Sequence, residues 1–384
     1  MKKIIYVFII FTVISCTSNH KEKSTKVSYS KNIKIDSIYI EEVMLPNIST
    51  SFSGTFEIFD NKINFVDQRF GWVYEFNPNG KLVNRHLGQG AGPNEINTAY
   101  LDGYVNLKSG NHLFLGSTFD VHVHSDSSFE RIKSYTFSWE GAQDVNKVRT
   151  SSSPDVNQFA LYTLDYQNLI IREDQNGNVY LPIYGETQYF NGINSDFYYD
   201  KGHILARLNL KSGRIDKLLG KRSPQYLEQK YLPHHSFFSY DIDENNYFYV
   251  SHEIDSLIFK YDQNFDLVSV FGSKGRNMAT DYITMKQFDS KLFKDLYFNK
   301  RPQLGWYSYL EFVDDVGLLF RSYTKGKHSD YDGLQIFEDE TLIGDVQVPK
   351  SFRVKGYIEP YVYGELKTND DSKLNLYRFK LENL

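Results

Sequence analysis

Residues 87–96, LGQGAGPNEI, place three glycines in five positions ahead of a proline. Such a turn can cradle a phosphate when a helix N-terminus follows and its free N–H groups face the anion. The Walker pattern also needs Lys and then Ser or Thr directly after the last glycine, and here Pro93 and Asn94 stand instead. The stretch downstream, NTAYLDGYVNL, reads as a strand. Gly88, Gly90 and Gly92 are therefore expected to supply positive φ at a turn between two structural units, with Pro93 fixing the exit. FGSKGRN, residues 271–277, occupies the equivalent place in a later unit.

DIDENN, residues 241–246, alternates acids and amides as a calcium loop does. An EF-hand loop needs Gly at its sixth position and Glu at its twelfth, whereas Asn246 and His252 stand there. An Asx-type turn is the expected structure. His122 and His124 lie two apart, hence on one face of a strand, with no third metal ligand nearby. No metal and no cofactor is expected. His234 and His235, with His252 and Asp255 in a following turn, form the best grouping for chemistry. Arg69 and Arg321 are candidate ligand contacts, and Trp72 and Trp306 are candidates for stacking on a sugar ring or a partner. No catalytic residue is assigned: there is no Gly-x-Ser-x-Gly elbow, and the single cysteine lies near the N-terminus. With 48 acidic residues, a glycosidase-type carboxylate pair cannot be located from spacing alone.

The elements that must position these residues are strands. Tyr (30) and Phe (29) are abundant and Pro (10) is sparse, a composition that suits pleated, half-buried surfaces. One pattern recurs: apolar strand, polar turn, aromatic strand, turn, two further strands. The clearest copies are residues 51–90, 100–137 and 236–275. A fourth begins at Asn168, is interrupted by a polar insertion and resumes at His203. A fifth begins at Ser308, and an incomplete sixth at Tyr357 ends the chain. Six units over residues 51–384 average about 55 residues, near the roughly 40–50 of propeller blades. The expectation is all-β: a six-bladed β-propeller of four-stranded antiparallel blades in residues 33–384. Residues 33–43 would supply the outer strand missing from the sixth blade and so close the ring. A seven-bladed ring that recruits residues 138–165 is the alternative. Apolar residues at helical spacing (Ile283, Phe288, Leu292, Leu296) predict one helix within 282–298.

The first residues, MKKIIYVFIIFTVISC, join a basic start to an apolar run of signal-peptide length, too short to span a membrane. Val13-Ile14-Ser15-Cys16 resembles a bacterial lipobox. That resemblance implies cleavage of residues 1–15, lipidation of Cys16, and residues 16–32 as a flexible tether. It also implies a cell-envelope lipoprotein, on the outer membrane. The net charge of −5, nearer −7 without Lys2 and Lys3, argues against nucleic acid as a partner.

WVYEFNPNGKLVNRHLGQGAGPNEI, residues 72–96, and residues 241–275 resemble segments of Bacteroidetes six-bladed propeller lipoproteins related to NHL-repeat and TolB-like propellers. The resemblance implies fold and location rather than activity. Two functions remain open. One is a binding module for a protein, peptide or glycan partner. The other is a propeller enzyme, a lyase or hydrolase, with its site at the channel mouth.

Overall fold

The computed structural model describes residues 27–139, 145–193, 196–229, 232–285, 287–367 and 373–381, so Cys16 and the signal segment lie outside the described residues. Six twisted antiparallel sheets are arranged as the blades of a propeller. The first two blades are simple meanders, Gly54–Phe59 through Leu82–Leu87 and Leu101–Asn106 through Arg131–Thr136. In the third, Tyr162–Leu164 and Arg172–Glu173 both pair with the long strand Asn178–Gly185, and Leu205–Asn209 and Arg214–Leu219 follow. The fourth blade runs from Phe238–Ile242 to Leu267–Gly272, and the fifth from Tyr307–Val313 to Thr341–Val348. The sixth has only Phe352–Ile358, Tyr361–Leu366 and Leu376–Lys380 from its own repeat.

Turn chemistry recurs from blade to blade. Asn77, Asp174, Asp243 and Asp262 each accept, through one side-chain oxygen, the backbone N–H groups two and four residues on. DIDENN thus forms the Asx turn expected of it, and the same device recurs at three turns for which no type was expected. In the third and fourth blades the other oxygen of the same aspartate accepts a tyrosine hydroxyl from the next strand, Tyr180 at 2.9 Å and Tyr249 at 3.0 Å.

Between adjacent blades lie six apolar clusters, one per interface. The closing one joins Phe56, Phe65 and Phe76 of the first blade to Ile358, Tyr363 and Leu376 of the sixth, with Val43 beside them. This interface decides against a seventh blade. Residues 138–139 lie as a parallel edge strand on the third blade and 162–164 as part of its inner edge, so both belong to that blade.

The N-terminal segment departs from expectation in an informative way. Ile40–Glu42 does complete the sixth blade, antiparallel to Leu376–Lys380. Lys31–Ile35, however, pairs in parallel with the outer strand of the fifth blade, and Val27–Ser28 with that of the fourth. Residues 27–28 and 31–32, within the stretch expected as tether, are thus paired as edge strands. The outer strands of these blades offer open edges, and the chain covers them in passing.

The helix, too, is shorter than the periodicity suggests. It starts at Ser290, where Asp289 caps the N–H groups of Lys291 and Leu292, and continues as a π-turn to Lys300. Ile283, Phe288 and Leu292 are exposed and only Leu296 is buried, so the spacing did not mark a core-facing stripe.

Removing residues 1–36 is expected to lower the melting temperature by a few degrees while leaving one cooperative transition, because the ring stays closed. Removing residues 1–44 deletes the closing strand and Val43, and is expected to abolish that transition in calorimetry. Equal behaviour of the two truncations would refute closure by Ile40–Glu42.

Candidate functional site

The innermost strand of each blade faces the axis, and the charged residues on those strands meet there. Arg172 is ion-paired with Asp241, its Nε 2.6 Å from the carboxylate, and donates from Nη2 to Glu311 at 2.6 Å. The Tyr309 hydroxyl lies 3.1 Å from Arg172 Nη2 and donates to Glu311 at 2.9 Å. Lys355 bonds Glu57 at 3.0 Å and reaches the Tyr309 oxygen at 3.2 Å. Asp241 also accepts the Phe312 N–H at 2.7 Å. Five blades are thereby tied across the axis, while the second contributes Gly103, where a Cβ would come within 2.4 Å of Ile171.

Burial outweighs the pull of Arg172 at Glu311 and pushes its carboxyl up to about 7. Asp314, on the same blade, is pushed to about 6, again by burial. Burial opposes the charge on Arg172 and Lys355, but the surrounding carboxylates hold both firmly protonated.

This network separates two mouths. One cavity, about 290 Å³, gathers residues from the starts of the inner strands, and the other, about 420 Å³, gathers residues from their ends. Glu57, Arg172 and Lys355 line both. The two differ in charge. The first has four cationic side chains against three carboxylates, and the second has three against seven.

In the first mouth most charges are already engaged. Lys355 and Glu57 hold each other, and Glu365 accepts the Phe56 N–H at 2.9 Å. Arg353 stacks 5.2 Å from the Tyr309 ring, and no salt bridge to it occurs among the described residues. Lys367 is exposed and donates only weakly, at 3.3 Å, to the Gly54 carbonyl. Across the mouth, Asp102 keeps one buried carboxylate oxygen without a hydrogen bond, and burial raises its pKa. Thr55, Gln68, Tyr100, Tyr166 and Gln167 add polar groups to the wall and Leu169 and Ile170 half-buried aliphatic ones, with Val66, Leu101 and Ile171 buried behind.

The residues singled out in the sequence lie elsewhere. His234, His235, His252 and Asp255 do come together, but in the body of the fold beneath two insertions, each at most 4% exposed. Asp255 accepts the Ser223 hydroxyl and the Leu257 N–H. Arg301 pairs with Glu253, donates to His235 Nδ1 at 3.1 Å, and covers the Trp306 ring at 4.4 Å. Burial, and next the nearby arginines, lower the histidines, His234 to about 4 and His252 to about 3, so both are neutral. Arg321 is fully buried, bonding Gln335 and two backbone carbonyls over the Tyr307 ring. Arg69 is exposed on a turn, and its neighbour Gln68 lines the mouth instead. Trp72 packs against Tyr74 under Arg85. His122 and His124 are buried, bonding Ser134 and the Phe129 carbonyl respectively. No group of three metal-ligating side chains occurs among the described residues.

The glycine-rich stretch is a turn in which Gly88 and Gly90, but not Gly92, take positive φ. The Glu95 carboxylate takes the Gly92 N–H at 2.8 Å, and a Cβ on Gly90 would fall 2.0 Å from it. The loop's own acid thus stands where a bound anion would.

No family model and no curated protein matches the chain. Among solved structures it is similar to a member of the DUF4221 family from Bacteroides vulgatus, with a TM-score of 0.62 at 13% identity over 89% of this chain and 96% of that one. It is also similar to an exported protein of Bacteroides fragilis, with a TM-score of 0.52 at 11% identity over 92% and 99%. At such identities the likeness is one of fold.

Because the Glu311 carboxyl is harder to ionise in the folded chain than in the unfolded one, the fold binds the extra proton between about pH 4.5 and 7. Its contribution to stability is therefore present at low pH and lost as pH rises through 7, by up to about 1.4 kcal/mol per pH unit. Glu311→Gln is expected to gain stability relative to the parent chain between pH 5 and 7, read from urea midpoints. Parallel pH profiles would refute the assignment.

Proposed function

We propose that this protein is an envelope-associated binding module whose ligand enters the mouth lined by Asp102, Tyr100 and Arg353. The observation that carries the reading is the contrast at that mouth. The charges across the axis are locked to one another, while hydrogen-bonding groups of both kinds around the rim point into an open cavity. A concave site with a few convergent polar groups is the usual form of a small-ligand site. In this reading Cys16 is lipidated and holds the propeller to the membrane, a partner protein, peptide or glycan being taken up on the mouth side. A relationship to NHL-repeat and TolB-like propeller lipoproteins belongs to the same proposal. The exported Bacteroides fragilis neighbour supports the envelope address. No helix among the described residues is long and apolar enough to cross a membrane.

A second reading, catalysis of a lyase or hydrolase type, draws on one observation. Glu311 sits beside Tyr309 with its carboxyl near neutrality, as a proton-transfer group would.

Labelling of growing cells with palmitate is expected to mark the protein, and Cys16→Ala to remove both the label and its membrane fractionation. Hydrogen exchange with and without a soluble envelope extract is expected to slow at residues 53–57, 100–104 and 353–355. Protection confined to other segments would overturn this placement of the site.

A further inference from the structure

The free hydrogen-bonding groups of the mouth are not scattered. Arg353 and Lys367 lie on the sixth blade, on paired strands or directly after them, with Arg353 opposite Glu365. Asp102 lies on the second blade, with the Tyr166 ring close enough to feel its charge. The ligand therefore meets, on one side, two cations that make no salt bridge among the described residues and stand beside Glu365, and on the other an acceptor with a free oxygen. At about 290 Å³ the cavity is near the lower edge of small-molecule sites, roughly 300–1,000 Å³, so it suits one compact unit.

The cavity is not closed off sideways. A second cleft, about 340 Å³, runs outward between the sixth and first blades, and shares Gln68, Tyr100, Glu365 and Lys367 with the axial cavity. A ligand seated at the axis can thus continue toward the rim past Phe52 and Ser53. Most of the accessible wall is amide, phenol, hydroxyl, cationic and carboxyl groups, which match hydroxyls, with half-buried Leu169 and Ile170 as its aliphatic part. The opposite mouth, with its excess of carboxylates, repels an anion and gives the channel a single entrance for one.

Resting on the reading of this mouth as the binding site, we infer that the ligand is an acidic saccharide bound end-on. Its terminal sugar carboxylate meets Arg353 and Lys367, its hydroxyls meet Asp102 and Gln68, and the remaining units leave through the cleft between the sixth and first blades. The fork of Arg353 can grip a carboxylate through two parallel N–H donors, which gives it the larger share of recognition.

The test is calorimetric titration of the soluble chain (residues 17–384) with galacturonate, trigalacturonate, neutral maltotriose and alanine. Trigalacturonate is expected to bind at least tenfold more tightly than the monomer, and maltotriose at least tenfold more weakly than trigalacturonate. Arg353→Ala is expected to cost about tenfold or more, and Arg353→Lys to restore part of it. Asp102→Asn is expected to weaken binding less than Arg353→Ala. Circular dichroism checks that each variant is folded. Equal binding of maltotriose, still weakened by Tyr100→Ala, would overturn the acidic ligand and leave the mouth as the site. Saccharide binding that neither Arg353→Ala nor Tyr100→Ala alters would overturn both. Tighter binding of alanine than of any saccharide, or no binding of any probe, would also overturn the inference; hydrogen exchange against envelope extract then judges the mouth independently.

Discussion

The structure depends on what happens where six wedge-shaped sheets converge. Inner strands cannot pack face to face at the axis, so the space between them must be filled from their side chains. This chain fills it with Arg172 between Asp241 and Glu311, and with Lys355 on Glu57. Removing such charges from water costs several kcal/mol per ion, returned only where the geometry is good and the remaining donors are bonded. Three carboxylates face two cations here, and Glu311 relieves the imbalance by holding its proton to near neutral pH. The network adds little net stability, but it fixes which blade stands opposite which. It also forms the floor of both mouths, so the shape of the site follows from the same contacts that hold the centre.

Much of the architecture was legible in the sequence because blades are local. Each is a meander of neighbouring strands, and Asn77, Asp174, Asp243 and Asp262 announce their turns by residue type. The phosphate reading failed on Pro93 and Asn94, and the structure shows why that mattered: Glu95 occupies the anion's place. The helix is shorter than its apolar spacing implies because aromatic residues in this chain serve the exposed surface of insertions as well as the core. Phe298, for instance, is 68% exposed.

The site was far less legible, for a physical reason. By residue type, histidines, tryptophans and arginines at turns are the strongest candidates, since loops usually carry function. In the fold, His234, His235 and His252 lie under the insertions, neutral and packed. The residues that converge are single charges inside short apolar strands that open each unit: Glu57, Asp241, Glu311 and Lys355. That placement was a readable signal. A charge amid inward-facing apolar residues must find a partner, and in a ring the partner is on another blade, hundreds of residues away in some pairs. Sequence alone does not say which carboxylate Arg172 will meet, because register across the axis is set only when the ring closes.

The path of residues 27–42 along the outer rim has a mechanical consequence. The segment lies against the fourth, fifth and sixth blades in turn, and at each it is held as a strand along the sheet edge. Tension applied at the N-terminus would meet these attachments one after another. The two parallel contacts would peel first, giving up length while the ring stays shut, and only a larger load would reach Ile40–Glu42. Such a pull would be taken up first by edge strands, an extensible element that absorbs displacement before the axial contacts feel any.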